Sequence, residues 1–367
     1  MVAARNGTGG RLSHQPRRSW VMSQCSASAP FRDPELRARF DRDGFVVTRV
    51  LSAERAAELR DAVNALKPDD RFDPAPDIAA LSGGYHQSEL DSNRAYKQRV
   101  AELSNLWFSG FVDGLLADYR LLASTLAVKM PERAEVPIHI DPTVQDEAIQ
   151  PTVYVWCALQ DTTEENGTLC VIPGSHGLFR GPYGATIDPG YFRGLKRIAG
   201  RAVPVPLKAG EALVFDASIF HSSRPNISGA PRFAFRLTCI PADQTGVMHR
   251  SSPQDPGIIE TFRMETEDYL DLGPEGLLKG QFETPLVRTR PASATRLQPE
   301  EVELVLERAE DIRSGTLTIE QLVATSRAQS ALRPAEPVQG KQAGEGPSFV
   351  RRARNRIASL LRLATGR

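Results

Sequence analysis

The sequence predicts a mainly β, α+β fold: a sandwich or jelly-roll core with helices ahead of it. Three observations carry this. Between Leu122 and Ile240 apolar residues recur at every second position, the period of a half-buried strand. The apolar runs in that region are short and punctuated by Gly and Pro, as in sandwiches and jelly rolls. Ahead of it the spacing changes to three and four, with helix start and stop signals at each end.

Residues 1–31 are rich in Gly, Ser and Arg, carry no acidic residue and read as disordered. They lack the apolar centre of a secretory signal. Their composition also suits an organellar transit peptide, or a chain that truly starts at Met22. Order begins at Asp33-Pro34-Glu35, where Asp33 suits an N-cap and Pro34 the first helical position. Leu36 and Phe40 give this helix an apolar face, and Gly44 ends it. Phe45-Val46-Val47 reads as a short strand. Ser52 caps a second helix whose Ala56, Leu59, Val63 and Leu66 share one side. A polar loop then runs to about residue 95, and a third helix spans roughly Arg94 to Leu116.

Strands are expected over about 123–130, 136–141, 152–160, 168–172, 203–207, 211–216 and 231–240. The polar connection Asp161–Gly167 makes 153–159 and 168–172 look like a hairpin, which would bring Cys157 and Cys170 together as two buried thiols. After about residue 290 two short polar helices follow, at 298–313 and 317–328. Residues 333–348 read as a Pro/Gly/Gln-rich linker. Phe349 to Arg367 forms a basic amphipathic pattern, either a solvated appendage or a surface for an anionic membrane or a protein partner. Four segments result: 1–31 disordered, 32–290 the main domain, 291–332 a helical extension, and 333–367 linker and tail.

Composition excludes several classes of function. Lys+Arg and Asp+Glu both number 45, so no net basic field points to nucleic acid. No apolar run approaches the roughly 18 residues of an integral membrane segment. The four cysteines form no CxxC pair, so a reduced, cytoplasmic protein is expected.

The chemistry centres on Pro137-Ile138-His139-Ile140-Asp141-Pro142. On a strand, Val136, Ile138 and Ile140 face one way and His139 and Asp141 the other. An imidazole and a carboxylate aimed at one point, joined by a second imidazole, make the 2-His-1-carboxylate triad of non-haem Fe(II) oxygenases. A surface His beside a surface Asp is the plain alternative. Of the six histidines, His14 lies in the loose N-terminus, His176 in a turn and His249 in an expected loop past the last core strand. His221 follows a glycine turn and an apolar strand, a good way to present an imidazole at a barrel mouth. Farther on, Arg232, Ala234 and Arg236 share one strand face. Turned inward, the Arg232 cation needs an anion, and a carboxylate matches its planar fork; turned outward, it is a solvated arginine.

These residues, in this order and spacing, resemble the phytanoyl-CoA dioxygenase family of Fe(II)/2-oxoglutarate-dependent oxygenases over roughly residues 34–245. The resemblance is carried by His139-Ile-Asp141, by Trp156 in Val155–Asp161, by Asn166–His176, by Gly210–Phe215, by His221-Ser-Ser223 and by Arg232. It implies a double-stranded β-helix (jelly-roll, cupin-like) core with flanking N-terminal helices. It also implies Fe(II), 2-oxoglutarate as cosubstrate, and O2. His139, Asp141 and His221 match the iron ligands. Arg232 matches the arginine that pairs with the far carboxylate of 2-oxoglutarate, Ser223 a cosubstrate-site serine two residues after the distal histidine, and Trp156 the tryptophan beside the cosubstrate. Thr125 matches a variable cosubstrate contact, and His86, in Gly84–Ser88, is a candidate from the N-terminal loop.

The implied activity is hydroxylation or a related oxidation of a small-molecule C–H bond, the substrate itself being unspecified. The insertion 177–202, with Phe179, Arg180, Tyr183, Tyr191, Phe192, Arg193, Lys196, Arg197 and Arg201, reads either as a basic-aromatic lid for an anionic substrate or as a solvated loop. The alternative reading is a jelly roll with another metal acting as an isomerase, or a non-catalytic binding module. The first leaves Arg232 and Ser223 without a purpose, and the second leaves an intact triad unexplained.

Overall fold

The computed structural model describes residues 31–66, 68, 71–74, 84–131, 135–145, 150–184, 186–293 and 296–331, with side chains to residue 329. The expected disordered start to residue 30, with His14 and Cys25, lies outside them, as do the linker and basic tail of 333–367. The chain divides into a compact unit ending at Ala324 and a second beginning at Thr325, of which only a helical end is described.

Helix α1 (Pro34–Asp43) starts where Asp33 Oδ1 accepts the Glu35 N–H at 2.8 Å. Gly44 stops it at φ 81°, and a Cβ there would strike the His176 ring at 2.5 Å, so conformation and contact both demand glycine. Phe31, assigned to the loose start, is instead buried and bridges Leu116. Strand β1 (Phe45–Arg49) follows, then α2 (Ala53–Asn64), capped by Ser52 and burying Ala56, Leu59 and Val63. After β2 (His86–Gln87) comes α3 (Arg94–Leu115). Its Tyr96, Val100, Phe108 and Val112 pack in one cluster with Leu126, Phe233 and Phe235.

The strands that follow are β3 (Tyr119–Lys129), β4 (Val136–His139), β5 (Val153–Ala158), β6 (Leu169–Val171), β7 (Val203–Pro204), β8 (Glu211–Asp216), β9 (His221–Ser223) and β10 (Arg232–Pro241). A six-stranded antiparallel sheet has the order β1-β8-β5-β10-β3-β2, and a four-stranded one the order β4-β9-β6-β7. These are the two sheets of the expected jelly roll. Tyr154, Trp156, Leu213 and Phe215 of the larger sheet pack with Leu169 and Val171 of the smaller. A third sheet, β11 (Val247–Ser251), β12 (Ile258–Arg263) and β13 (Leu286–Pro291), was not expected. His249 therefore lies on a strand, its Nδ1 3.0 Å from Thr261 Oγ1, rather than in a loop.

The expected hairpin of 153–159 with 168–172 does not form. Both edges of β5 are occupied, by β8 and β10, while β6 lies between β9 and β7. The 161–167 turn closes on itself, with Asn166 Nδ2 donating to Asp161 O at 2.9 Å, and hands the chain from one sheet to the other. Cys157 and Cys170 thus sit on different sheets as buried free thiols.

Short helices α4 (Leu195–Ile198), α5 (Thr266–Asp271) and α6 (Pro274–Lys279) precede α7 (Pro299–Glu307), α8 (Ala309–Arg313) and α9 (Ile319–Ala331). The helices beyond the boundary expected at residue 290 pack against the sandwich. Leu297, Val302, Val305, Ile312, Ile319 and Leu322 share a buried cluster with Ile138, Ile140, Ile172 and Phe220, and burial on that scale ties them to the sandwich. No helix among the described residues is long and apolar enough to cross a membrane.

Candidate metal centre

Strand alternation aims the two residues flanked by isoleucines. Ile138 and Ile140 enter the cluster beneath α7 and α8, so His139 and Asp141 face the opposite side, into a cleft of about 520 Å³ between the sheets. Val136, expected beside the isoleucines, lines the cleft instead. The β4–β9 register runs Val136↔Ser223 and His139↔His221, so one extra residue bulges at Pro137-Ile138 and reverses the alternation.

His139 and His221 are direct partners across that ladder, with ring centroids 4.2 Å apart. Each ring turns its Nδ1 to the backbone carbonyl two residues earlier, Pro137 O at 2.8 Å and Ile219 O at 3.1 Å. Those bonds place a proton on Nδ1 and leave the Nε2 lone pairs facing Asp141, at 3.8 Å from Oδ1 for His139 and 3.5 Å from Oδ2 for His221. One ligand atom from each of the three lies within 4.8 Å of the others. Asp141 Oδ2 is buried without a hydrogen-bond partner, an orphan that a cation would satisfy. Burial, and then His139, push His221 down to about 4, so its Nε2 lone pair is available near neutral pH, as a metal requires. Burial alone would raise the Asp141 carboxyl, but His221, Arg236 and His139 outweigh it and hold it below the usual range. The donor set fits a divalent transition ion.

Arg232 opens β10 and is 2 % exposed. Its guanidinium lies 4.8 Å over the Trp156 ring, and its Nε and Nη1 have no partner. Burial lowers its pKa to about 10, which still leaves a cation near neutrality. Ser223 lines the same cleft, and Lys129, opposite Arg232 on β3, donates to Ser223 Oγ and to Arg224 O.

The expected residues fall into two groups. His139, Asp141, His221, Arg232, Ser223, Trp156 and Thr125 all line the one cleft. Thr125, however, spends its hydroxyl on Glu89 Oε2 at 2.7 Å. His86 points away. Its Nε2 meets Tyr96 OH at 2.9 Å and its ring meets Phe72, while its neighbours Tyr85 and Gln87 face the cleft, as alternation requires. Sequence reasoning passed over Lys129, Tyr85 and Glu89. It also left Arg236 without a role, although the shared face with Arg232 was visible.

The basic-aromatic insertion is not an open lid. Phe179 and Tyr191 are buried beside Phe220, and Arg180 pairs with Asp216 at 2.6 Å. Arg197 reaches Glu300 at 2.7 Å and Arg201 reaches Glu307 at 3.0 Å, bracing α7.

The sequence model for phytanoyl-CoA dioxygenase (PhyH) matches residues 40–234, more than half of the 367 residues. Among curated proteins, the chain is 33 % identical over 128 residues to the phytanoyl-CoA dioxygenase domain-containing protein 1 homolog of Dictyostelium discoideum, covering 32 % of this chain and 44 % of that one. It is 27 % identical to the ectoine dioxygenase of Sphingopyxis alaskensis over 243 residues, covering 58 % of this chain and 76 % of that protein. The chain spans less than half the length of the first relatives it matches. Similar solved structures include the non-heme alpha ketoglutarate dependent carbocyclase SnoK from nogalamycin biosynthesis, at 20 % identity, TM-score 0.45, and 71 % and 96 % of the two chains. EctD from S. alaskensis with bound Fe is another, at 22 % identity, TM-score 0.37, and 57 % and 82 % coverage. The chain belongs to the phytanoyl-CoA dioxygenase family.

Proposed function

We propose that the chain is a non-haem Fe(II)- and 2-oxoglutarate-dependent dioxygenase that hydroxylates, or otherwise oxidises, a C–H bond of a small molecule. The observation that carries this reading is the convergence, in one cleft, of two Nε2 lone pairs, an orphaned carboxylate oxygen and a buried arginine with no internal anion. His139, Asp141 and His221 would hold iron. Arg232 and Ser223 would take the far carboxylate of 2-oxoglutarate, with Trp156 supporting the guanidinium from behind. When bound, iron with 2-oxoglutarate and O2 supplies the oxidation of the C–H bond, with succinate and CO2 released.

The chain's own part is to orient and to keep dry. The Nδ1 bonds to Pro137 O and Ile219 O fix both imidazoles, and Trp156 and Phe215 give the cleft apolar walls. Asp141 supplies the carboxylate ligand, which favours hydroxylation over halogenation. Tyr85 and Gln87 line the cleft on the N-terminal side, where a substrate would pass them. The catalytic unit in this reading runs from about residue 31 to Ala324, including α7 and α8, and the buried free thiols Cys157, Cys170 and Cys239 suit the reducing cytoplasm.

Anaerobic titration with Fe(II) and 2-oxoglutarate tests the reading. A weak metal-to-ligand charge-transfer band in the visible is expected, and His221→Ala should abolish it. A band unchanged in that variant removes His221 from the ligand set.

A further inference from the structure

Lys129 is a fully buried titratable side chain that the proposed reaction does not use. It is the last residue of β3, stands directly opposite Arg232 on the β3–β10 ladder, and is fully buried. Like charges directly opposite each other on one sheet face repel, and the more so away from water. Neither side chain has an ion-pair partner among the described residues. A second position confirms how closely this amine is enclosed: a Cβ on Gly167 would come within 3.1 Å of Lys129 Cδ.

The surroundings fix its state. From β10 comes the Arg232 cation. From the last residue of β9 and the one after it come Ser223 Oγ and Arg224 O, which accept from Nζ, while the Arg224 guanidinium is itself paired with Glu164 at 2.5 Å. The Tyr85 ring lies 5.8 Å from Nζ, and burial raises its hydroxyl to about 12, so it stays neutral. Cys170 on β6 and Glu135 ahead of β4 complete the set of titratable neighbours, and neither reaches ion-pair distance. Two acceptors match the two N–H bonds of a neutral amine. Burial, and then Arg232, push Lys129 down to about 6.

We propose that Lys129 couples cosubstrate binding to protonation: it stands neutral beside Arg232 until a dicarboxylate sets its far carboxylate against Arg232 and Ser223, and then takes up one proton from solvent. The inference rests on the cosubstrate reading above and deepens it. The incoming carboxylate cancels the Arg232 field. Lys129 acts through Ser223, so it is a positioning residue. Its donation to Ser223 Oγ leaves the serine hydroxyl hydrogen free to point at the carboxylate.

The test is calorimetric titration of the full chain, loaded anaerobically with Fe(II), with 2-oxoglutarate in two buffers of different ionisation enthalpy. At about pH 7.5 wild type should take up close to one proton per 2-oxoglutarate bound, and its affinity should fall about tenfold per pH unit above roughly pH 6.5. Pyruvate, a 2-oxo acid with no far carboxylate, should bind without proton uptake. Lys129→Arg, charged throughout, should bind 2-oxoglutarate with no uptake and no pH slope. Wild-type binding of 2-oxoglutarate without proton uptake overturns the role of Lys129 and leaves the cosubstrate reading standing. Uptake that persists in Lys129→Arg also overturns it. No 2-oxoglutarate binding by wild type overturns both.

Discussion

Two guanidinium groups stand four residues apart on one face of β10, and only one of them has an internal anion. Arg236 donates from Nη2 to Glu89 Oε1 at 2.7 Å, Thr125 occupies the other Glu89 oxygen, and the Tyr154 ring lies 5.1 Å away. Burial lowers the Arg236 pKa, but Glu89 and Asp141 outweigh it and raise it well above the ordinary value. Arg232 has Trp156 beneath it and no carboxylate beside it. A buried cation costs the fold several kcal/mol unless something compensates it. Where the compensation is built in, the arginine belongs to the structure. Where it is left out, the arginine is a port for a ligand that brings the charge. The same strand thus carries one arginine compensated by Glu89 and Asp141 and one without an internal carboxylate, which in the proposed reading receives the cosubstrate.

Removing each guanidinium should break the two ends differently. Arg236→Leu strands Glu89 in a half-buried site and should cost about 3–5 kcal/mol of stability in urea unfolding. Arg232→Leu removes an uncompensated charge and should leave stability level or raise it. Its loss should appear in 2-oxoglutarate binding, by roughly 2–5 kcal/mol, with Fe(II) binding nearly intact. Equal destabilisation by the two substitutions would erase the distinction between them.

Lys129 extends the contrast to pH. Its folded pKa, about 6, lies below the unfolded value near 10.5, so the unfolded chain binds the extra proton across the window between them. The contribution of Lys129 is therefore fully present above about pH 10.5 and lost as pH falls toward 6. In the metal-free chain stability should rise with pH, on the order of 2 kcal/mol from about pH 6.5 to 8.5. Lys129→Met should lose that slope. Parallel profiles for the two proteins would show that Lys129 is charged in the fold.

The contrast also marks how far the sequence could be read. His139 and Asp141 were legible because two-residue spacing puts both on one strand face, and His221 because a glycine turn and an apolar strand lead to it. The partners of those strands were not legible. A lysine ending an apolar run reads as a solvated strand end, and only the register Arg232↔Lys129 turns it inward. The bulge that moved Val136, the loop that separated Cys157 from Cys170, and the choice of Tyr85 over His86 are likewise matters of pairing. Helix caps fared better, since Asp33, Gly44 and Ser52 act on neighbours within a few residues. The C-terminal helices read as an extension because their apolar stripe shows no destination until Ile138 and Ile140 are beneath it.

The smallest expected effect decides the position of Thr125. The sequence resemblance places it against the cosubstrate, while its hydroxyl in the fold donates to Glu89 at 2.7 Å and lies 3.5 Å from Arg236 Nη2. It therefore belongs to the compensated end of the cleft. Thr125→Val keeps the shape of the side chain and removes only that donor. Glu89 retains Arg236, so the loss should be about 1.5–3 kcal/mol of stability, the worth of one hydrogen bond to a charged acceptor. Affinity for 2-oxoglutarate should stay within about twofold of wild type, because Arg232 and Ser223 are untouched. An affinity lower by about tenfold at unchanged stability would move Thr125 to the receptor end, and with it the line between the structural arginine and the receptor arginine.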